Sequence, residues 1–585
     1  MKKITEKMEE YNSMKVIIVG GVAGGASAAA RLRRLDEEAQ IIMIERTGYV
    51  SYANCGLPYF VGGVIQKKEN LTLQTPESFQ KRFRVDARVR QEAVEIDRKK
   101  KQITIKKLET GEVYQESYDK LLLAPGARAN RPNLEGMEQL SKEALSRIMT
   151  LKTVEDTYHM RAFIEQHKPR RAVVIGGGFI GLEAAENLVH AGISTSLVQV
   201  HNQVLMSLDY DMACELHGYL KSQGLDLRLE TSVTGIREKE GRLELTIKEK
   251  PSMEADFVVL AVGVSPETEL AQKAGLKLGM KQAIVVNEQM QTSDSDIFAV
   301  GDAVEIKNRI TGENALFALA GPANKQGRIA ADGIAGREAS YHGAMGSSVI
   351  KLFDMTAAST GLNERAAKKA GIAYDKAVLF SASHASYYPG AENMTMKVLF
   401  EKETGKLLGA QITGFGGVDK RIDVLAAAIY AGLTGEDLTE LDLAYAPPYG
   451  SAKDPVNMAG YVIENIRSGL VKQFHWDEMD ALVGRQDITM LDVRTDAEYA
   501  QGHFAGSVHI PLDELRERMG ELNPEKPVYV NCFSGLRSYL ACRILTQHGF
   551  SCFNLSGGYR FASYVLSNAP YHYRGMYPCG MEKES

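Results

Sequence analysis

The chain has 585 residues, more than one hydrophobic core serves, so length alone implies roughly three to five domains. Apolar residues make up 44% and charged residues 24%, and a net charge of −5 with interspersed signs leaves no basic face for nucleic acid. No stretch approaches the roughly 20 apolar residues of a membrane span, and the polar opening Met1–Ser13 lacks the apolar segment of a secretory signal.

Lys15–Val19 reads as a β-branched strand running into Gly20-Gly21-Val22-Ala23-Gly24-Gly25, a small-residue helix from Ala26 to Leu35, and a second strand Ile41–Ile44 ending at Glu45. The pattern is that of a dinucleotide site. Gly20 makes the tight turn, Gly25 lets helix and strand approach, and the helix N-terminus offers N–H groups to a pyrophosphate. Glu45 falls 20 residues after Gly25, where a carboxylate accepts from ribose hydroxyls. Val22 stands where the middle glycine is usual, so a glycine-rich turn in some other α/β unit stays open for this segment alone. Ten residues past Glu45, Cys55 lies in Ser51-Tyr52-Ala53-Asn54-Cys55-Gly56-Leu57-Pro58-Tyr59 with no C-x-x-C or C-x4-C partner. An inert core cysteine is the bland reading. The Gly/Pro-bounded, polar setting beside a cofactor favours a catalytic thiol whose pKa is lowered by positive surroundings.

Leu121–Leu123 is a strand turning at Ala124-Pro125-Gly126. Arg171–Ile175 then opens a second copy, Gly176-Gly177-Gly178-Phe179-Ile180-Gly181, with all three glycines, the helix Leu182–His190 and the strand Ser194–Val200. Near that strand's end Gln199 replaces the acid that would select NADH and the cation that would select NADPH; NADH is favoured, with His201 keeping NADPH open. Thr292–Asp302 reads as a strand ending in Gly301-Asp302, placing a carboxylate for a ribityl hydroxyl. Cysteines 55, 214, 532, 542, 552 and 579 have no framework spacing, which fits a reducing cytoplasm. Cys214, Cys542 and Cys552 read as inert core positions. Cys579 receives no role, and no metal-ligating set is read anywhere.

A flavin fold interrupted by a nicotinamide fold and then resumed resembles the two-dinucleotide-binding-domain flavoprotein disulfide reductases, over about residues 14–461. The resemblance implies FAD on Gly20, Val22, Ala23, Gly24, Gly25, Glu45, Arg46, Ala124, Gly126, Gly301 and Asp302. It implies NAD(P)H on Gly176, Gly178, Phe179, Ile180, Gly181 and Gln199. Within that superfamily, the Ser51–Tyr59 run resembles the coenzyme A-disulfide reductases, whose motif is S-F-x-x-C-x-x-P-Y, with Tyr52 for the phenylalanine. Asp442–Tyr449, Lys453–Asn457 and Ser386–Gly390 are similar to that family's C-terminal segments. This implies a homodimer in which Tyr387, adjoined by Tyr388, and Tyr445 reach across to the cysteine. Coenzyme A contacts then map onto Ser27, Arg31, Arg34, Ser51, Asn54, Tyr445 and Lys453, with Asn324 where a histidine is expected. Without the resemblance, Arg31 and Arg34, three apart on a helix, read as a solvated face.

The last 100 or so residues change pattern. Ile488–Arg494 ends in D-V-R, Glu498–Ser507 contains G-H-x-x-G-S, and Val528–Asn531 leads into Cys532-Phe533-Ser534-Gly535-Leu536-Arg537-Ser538. A loop of inward N–H groups between strand and helix favours a thiolate and a persulfide. The segment resembles a single-domain rhodanese, which implies that Cys532 carries sulfane sulfur and that Arg537 and the loop hold its charge.

The expected fold class is α/β: two interleaved Rossmann-like FAD- and NAD(P)-binding domains, an α+β dimerisation domain and a C-terminal rhodanese domain. The boundaries are 14–150 and 262–335 for FAD, 151–261 for NAD(P)H, 336–461 for dimerisation, 462–476 for a linker and 477–575 for the rhodanese. The resemblance implies NAD(P)H-driven, FAD-dependent reduction of coenzyme A disulfide, persulfide or polysulfide through a mixed disulfide on Cys55. Two rivals are weighed: an NADH oxidase or peroxidase using a cysteine sulfenic acid, and a persulfide carrier or redox sensor serving a protein partner.

Overall fold

The structure, a computed structural model, describes residues 13–567 and Tyr571; the expectations for the first twelve residues and Cys579 lie outside the described residues. The chain divides into two compact units. One holds the described residues up to Val198 with Ser232–Ala344, and the other holds Gln199–Thr231 with the chain from Met345 onward.

The first unit is built on two parallel sheets. In one, Ile297–Ala299, Lys120–Leu123, Lys15–Val19, Gln40–Glu45 and Val85–Val89 lie in that order. Its inner strands read as apolar runs because both faces are covered, while the edge strand Val85–Val89 is only partly buried. Ile17 and Val19 pack into one core with Ile103 and Ile284, while Val16 and Ile18 pack into another with Ala28 and Leu32. In the second sheet Ile148–Met149, Phe257–Leu260, Arg171–Ile175 and Ser194–Val198 run parallel. Each first strand turns at glycine into a helix, Ala23–Leu35 and Phe179–His190. Both helices start three residues earlier than the periodicity suggests, because the small and apolar residues after each turn already take helical geometry. The strand expected over Ser194–Val200 ends at Val198, and Thr292–Asp302 yields only the strand Ile297–Ala299.

In the second unit, Ser348–Leu352, Met355–Gly361, Leu407–Gly414, Asn393–Glu401 and Tyr374–Ala382 form an antiparallel sheet carrying the helix Val418–Ala431. The C-terminal segment forms a parallel sheet in the order Gln473–Phe474, Cys552–Leu555, Val528–Asn531, Thr489–Asp492, Val508–His509. The expected linker begins inside the helix Pro455–Arg467 and runs past the strand Gln473–Phe474, leaving a short connection between them.

The helix Tyr210–Ser222 groups with this unit because its acidic residues find their partners there. Asp209 and Asp211 meet the fully buried Lys397, and Glu215 meets Arg560 and accepts from Thr395 and Thr413. No helix among the described residues is long and apolar enough to cross a membrane.

Candidate active sites

The first site is a cavity of about 470 Å³ in the first unit. Its walls bring together Gly20, Val22, Ala23 and Gly24 from the first turn with Glu45 and Arg46 at the end of the second strand. Ala124 and Gly126 join them from the turn after Lys120–Leu123, and Gly301 and Asp302 from the turn after Ile297–Ala299. These turns come from widely separated sequence and meet because parallel strands end on one edge of a sheet.

Gly20 has φ +99°, and a Cβ on it would lie 2.0 Å from the Ala124 oxygen; a Cβ on Gly25 would lie 1.9 Å from the Gly20 oxygen. Gly25 therefore serves packing, as expected. The Glu45 carboxylate accepts from Gly21 N–H at 2.9 Å and from Thr47 N–H at 2.8 Å, so it shapes the turn as well as facing the cavity. Arg46 lies near Glu92 and Glu267, at 3.7 and 3.8 Å. Asp302 is raised by burial, with Lys152, 3.9 Å away, opposing.

Cys55 lines the same cavity, in a single 3-10 turn, Asn54–Gly56, ahead of the short helix Leu57–Val61. It is a free thiol and the one cysteine in that unit's sequence. Burial first and the Glu183 carboxylate second push its pKa up, with Lys152 opposing. This corrects the expected lowering: burial, joined by the nearby acid from the second fold's helix, outweighs the nearby cation. Glu183 is itself raised to about 7 by burial, and Tyr59 donates its hydroxyl to it at 3.4 Å.

Of the mapped coenzyme A contacts, Ser27, Ser51, Asn54 and Asn324 line this cavity, with the Ser27 hydroxyl donating to Asn324. Ser51 takes a left-handed conformation at φ +46°, its N–H bonded to the Gly21 oxygen at 2.7 Å. Arg31 instead pairs with Asp332 at 2.6 Å, while Arg34 is exposed at the helix end.

In the second fold, a Cβ on Gly181 would lie 1.9 Å from the Gly176 oxygen, whereas one on Gly178 meets nothing within 4 Å. The open middle position is the backbone approach a pyrophosphate needs. Phe179 and Ile180 begin the following helix. Gln199 is buried and spends its amide locally, donating to the Gln203 oxygen at 3.2 Å and accepting from Val200 N–H at 3.1 Å.

In the second unit, Tyr387 and Tyr445 join hydroxyl to hydroxyl at 2.8 Å, while Tyr388 packs edge-on against His384. The geometry thus singles out Tyr387 from its neighbour. Lys453 is exposed beside the helix-capping Asp454.

The second candidate site is Cys532, fully buried at the end of the strand Val528–Asn531. Gly535 N–H donates to its Sγ at 3.1 Å and the Ser538 hydroxyl at 3.3 Å. Arg537 lies in the first turn of the helix that follows the loop. It makes a two-pronged pair with Glu498 at 2.6 and 2.7 Å, because a facing carboxylate matches its fork. The D-V-R residues form a buried pair, Asp492–Arg494 at 2.7 Å, stacked under Tyr559. Cys542 and Cys552 lie in the core, and Cys214 is buried with its thiol pushed up to about 12.

Sequence reasoning missed Lys152, Glu183, Glu498 and Ser538. Ser538 and Glu183 had a usable signal: each is a polar side chain near the start of a helix that follows a glycine turn, Ser538 in the first turn and Glu183 in the second. Lys152 and Glu498 had none, since their partners are distant in sequence.

Two glycine-turned parallel folds beside a solitary thiol define a dinucleotide-dependent thiol oxidoreductase. The chain belongs to the pyridine nucleotide-disulphide oxidoreductases, whose family model matches residues 14–327. The dimerisation domain of that family matches 347–455 and a rhodanese-like domain matches 475–560. A coenzyme A disulfide reductase of Staphylococcus haemolyticus is 34% identical over 448 residues, 76% of this chain and 98% of the relative. Reduced Bacillus anthracis CoADR-RHD is 46% identical with a TM-score of 0.92, over 96% of this chain and all of that one. A NAD-dependent persulfide reductase from A. fulgidus is 38% identical with a TM-score of 0.87, over 94% of this chain and all of that one. The family's cofactors are FAD and a nicotinamide dinucleotide. The residues fit both: the first cavity offers its glycine turns, Glu45 and Asp302 to FAD, and the open Gly178 turn offers a seat to the nicotinamide dinucleotide.

Proposed function

We propose that this chain reduces coenzyme A disulfide, and coenzyme A persulfide or polysulfide, with electrons from NAD(P)H, through a mixed disulfide on Cys55. The observation that carries the reading is Cys55 itself: a free thiol in the wall of the FAD cavity, in a unit with no second cysteine to close a protein disulfide. The oxidised partner must then be a diffusible thiol. The relatives named for coenzyme A disulfide and for persulfide support its identity.

Bound FAD supplies the two-electron relay between the nicotinamide and sulfur. The Cys55 thiolate attacks one sulfur of the coenzyme A disulfide; the Cys55–S bond forms as the S–S bond breaks, and one coenzyme A leaves as its thiol after taking a proton. Two-electron reduction of the mixed disulfide returns the Cys55 thiolate and the second thiol. With a persulfide as substrate, one product is sulfide.

Tyr387 and Tyr445, acting across a homodimer, are the proton-donating and orienting pair; their mutual hydrogen bond holds the Tyr445 phenol up and so keeps it protonated. Ser27, Asn54 and Asn324 line the substrate's approach to Cys55, and exposed Arg34 and Lys453 are the cations for its phosphates. NADH is the favoured donor, because Gln199 offers no positive charge for a 2′-phosphate. Cys532 carries sulfane sulfur, its sulfur held by Gly535 N–H and Ser538.

Intact-mass measurement of the purified protein tests the reading, with a reductant-labile adduct of coenzyme A mass expected on Cys55. Cys55→Ser should abolish NAD(P)H-linked reduction of both substrates. Retained turnover in that variant overturns the proposal, and steady NADH oxidation by oxygen alone, indifferent to thiol substrates, would install the oxidase reading.

A further inference from the structure

The Cys532 loop is held from behind by the helix Gly558–Ser567. Tyr559 N–H donates to the Cys532 oxygen at 2.8 Å, and Arg560 N–H donates to the Phe533 oxygen at 3.0 Å. The helix comes this close because Gly557 and Gly558 take left-handed conformations, at φ +78° and +70°. A Cβ on Gly558 would lie 2.5 Å from the Phe533 oxygen. With those two carbonyls fixed, the peptides that follow aim Gly535 N–H at the Cys532 Sγ, 3.1 Å away.

Two side chains anchor the start of that helix. Tyr559 stays within its own domain, its ring 3.9 Å from the Arg494 guanidinium. Arg560 leaves it. Its buried guanidinium donates to the Glu215 carboxylate on the helix Tyr210–Ser222 and to the Thr395 hydroxyl, and lies 3.8 Å from the centre of the Phe380 ring. Thr395 and Phe380 belong to the antiparallel sheet, and the Phe380 ring meets Phe533 of the Cys532 loop edge-on at 6.5 Å. Glu215 is committed in turn, accepting from the Thr395 and Thr413 hydroxyls at 2.9 and 2.7 Å. A buried ion pair contributes little net stability, but breaking it leaves a charge buried without its partner. What the pair secures is therefore placement: the helix sits where Arg560 meets Glu215, and nowhere else at equal energy.

We propose that Arg560 is a positioning residue for the Cys532 loop. Anchored outside its own domain, on Glu215, Thr395 and Phe380, it holds the first turn of Gly558–Ser567 against the loop and keeps Gly535 N–H and the Ser538 hydroxyl aimed at the sulfur. The inference rests on the reading of Cys532 as a sulfur carrier and names what shapes its loop. The sulfur-holding geometry of the C-terminal domain is thus completed by residues from the rest of the chain.

The test uses the full-length protein with FAD bound and without NAD(P)H, so that the reductase is idle. Two measurements are made on Arg560→Met and Arg560→Lys. One is amide hydrogen exchange by mass spectrometry across residues 477–567. The other is sulfur transfer from glutathione persulfide to cyanide, with the Cys532→Ser rate subtracted. Arg560→Met should speed exchange in residues 532–538 about tenfold, the worth of one lost hydrogen bond, while Val528–Asn531, in the middle of its sheet, exchanges as before. The kcat for transfer should fall about tenfold with the KM for cyanide unchanged. Arg560→Lys, which keeps a cation in reach of Glu215, should restore most of both. Exchange that quickens evenly across residues 477–567, or a loop and a kcat that do not change, overturns the inference, because Arg560 then only stabilises the domain. Should Arg560→Met not fold, Glu215→Gln takes its place with the same two outcomes. A wild-type protein that moves no sulfur through Cys532 overturns the carrier reading instead, and the exchange measurement still decides the role of Arg560.

Discussion

Replacing Lys397 by Met should cost the second unit about 3–5 kcal/mol near neutral pH. The Lys397 ammonium is wholly buried, 2.8 Å from both oxygens of Asp211, 3.0 Å from Asp209 and 2.5 Å from Glu364. One oxygen from each of those three carboxylates lies within 4.8 Å of the others, and the ammonium sits among them. Methionine fills similar volume but leaves the acids facing each other without their shared cation. Burial works to raise Glu364, yet Lys397 and Lys376 outweigh it and hold that carboxyl well below the usual range. Burial keeps Asp209 raised even beside Lys397.

The sign follows. A lowered folded-state pKa, as at Glu364, contributes stability above the unfolded value that is lost as pH falls. A raised one, as at Lys397, contributes stability below its unfolded value that is lost as pH rises. The substitution removes both contributions, so its cost is largest between about pH 5 and pH 10 and shrinks in acid, where the orphaned carboxyls protonate. Thermal unfolding at pH 8 should show a fall of roughly 10 °C in the transition that contains this unit, with a smaller fall at pH 4.5. An equal loss at both pH values would refute the reasoning, because it would mean that packing, not charge, carries the site.

Glu183→Gln removes a negative charge that holds the Cys55 thiol up. Since Glu183 titrates at about 7, the effect belongs to pH above that value: iodoacetamide should alkylate Cys55 about tenfold faster at pH 8 in the variant, with the two proteins converging below pH 6. Gly181→Ala places a Cβ 1.9 Å from the Gly176 oxygen and should raise the KM for NAD(P)H about tenfold, with flavin content, read from absorbance, unchanged. Gly25→Ala makes the same contact with Gly20 and should instead lower flavin content. Cys532→Ser should abolish sulfane-sulfur loading while coenzyme A disulfide reduction continues at its usual rate; loss of both would couple the two sites more tightly than proposed.

What was legible in the sequence was local. A glycine turn between a buried strand and a helix is written in consecutive residues, so both dinucleotide folds, the Cys55 run and the Cys532 loop could be read with their neighbours. Gly25 could even be assigned to packing, because the close strand–helix approach is a property of the turn itself. Domain edges were less legible: nothing in the run 199–231 reveals that its helix buries Asp211 and Glu215 against residues almost two hundred positions or more away.

The electrostatics of both thiols were decided only by the tertiary structure. Lys152, Glu183 and Glu498 act on their partners across breaks in the chain, and a charge's effect depends on distance and burial, neither of which a one-dimensional pattern carries. For the same reason the Glu498 carboxylate that pairs with Arg537, 39 positions away, could not be read from the sequence.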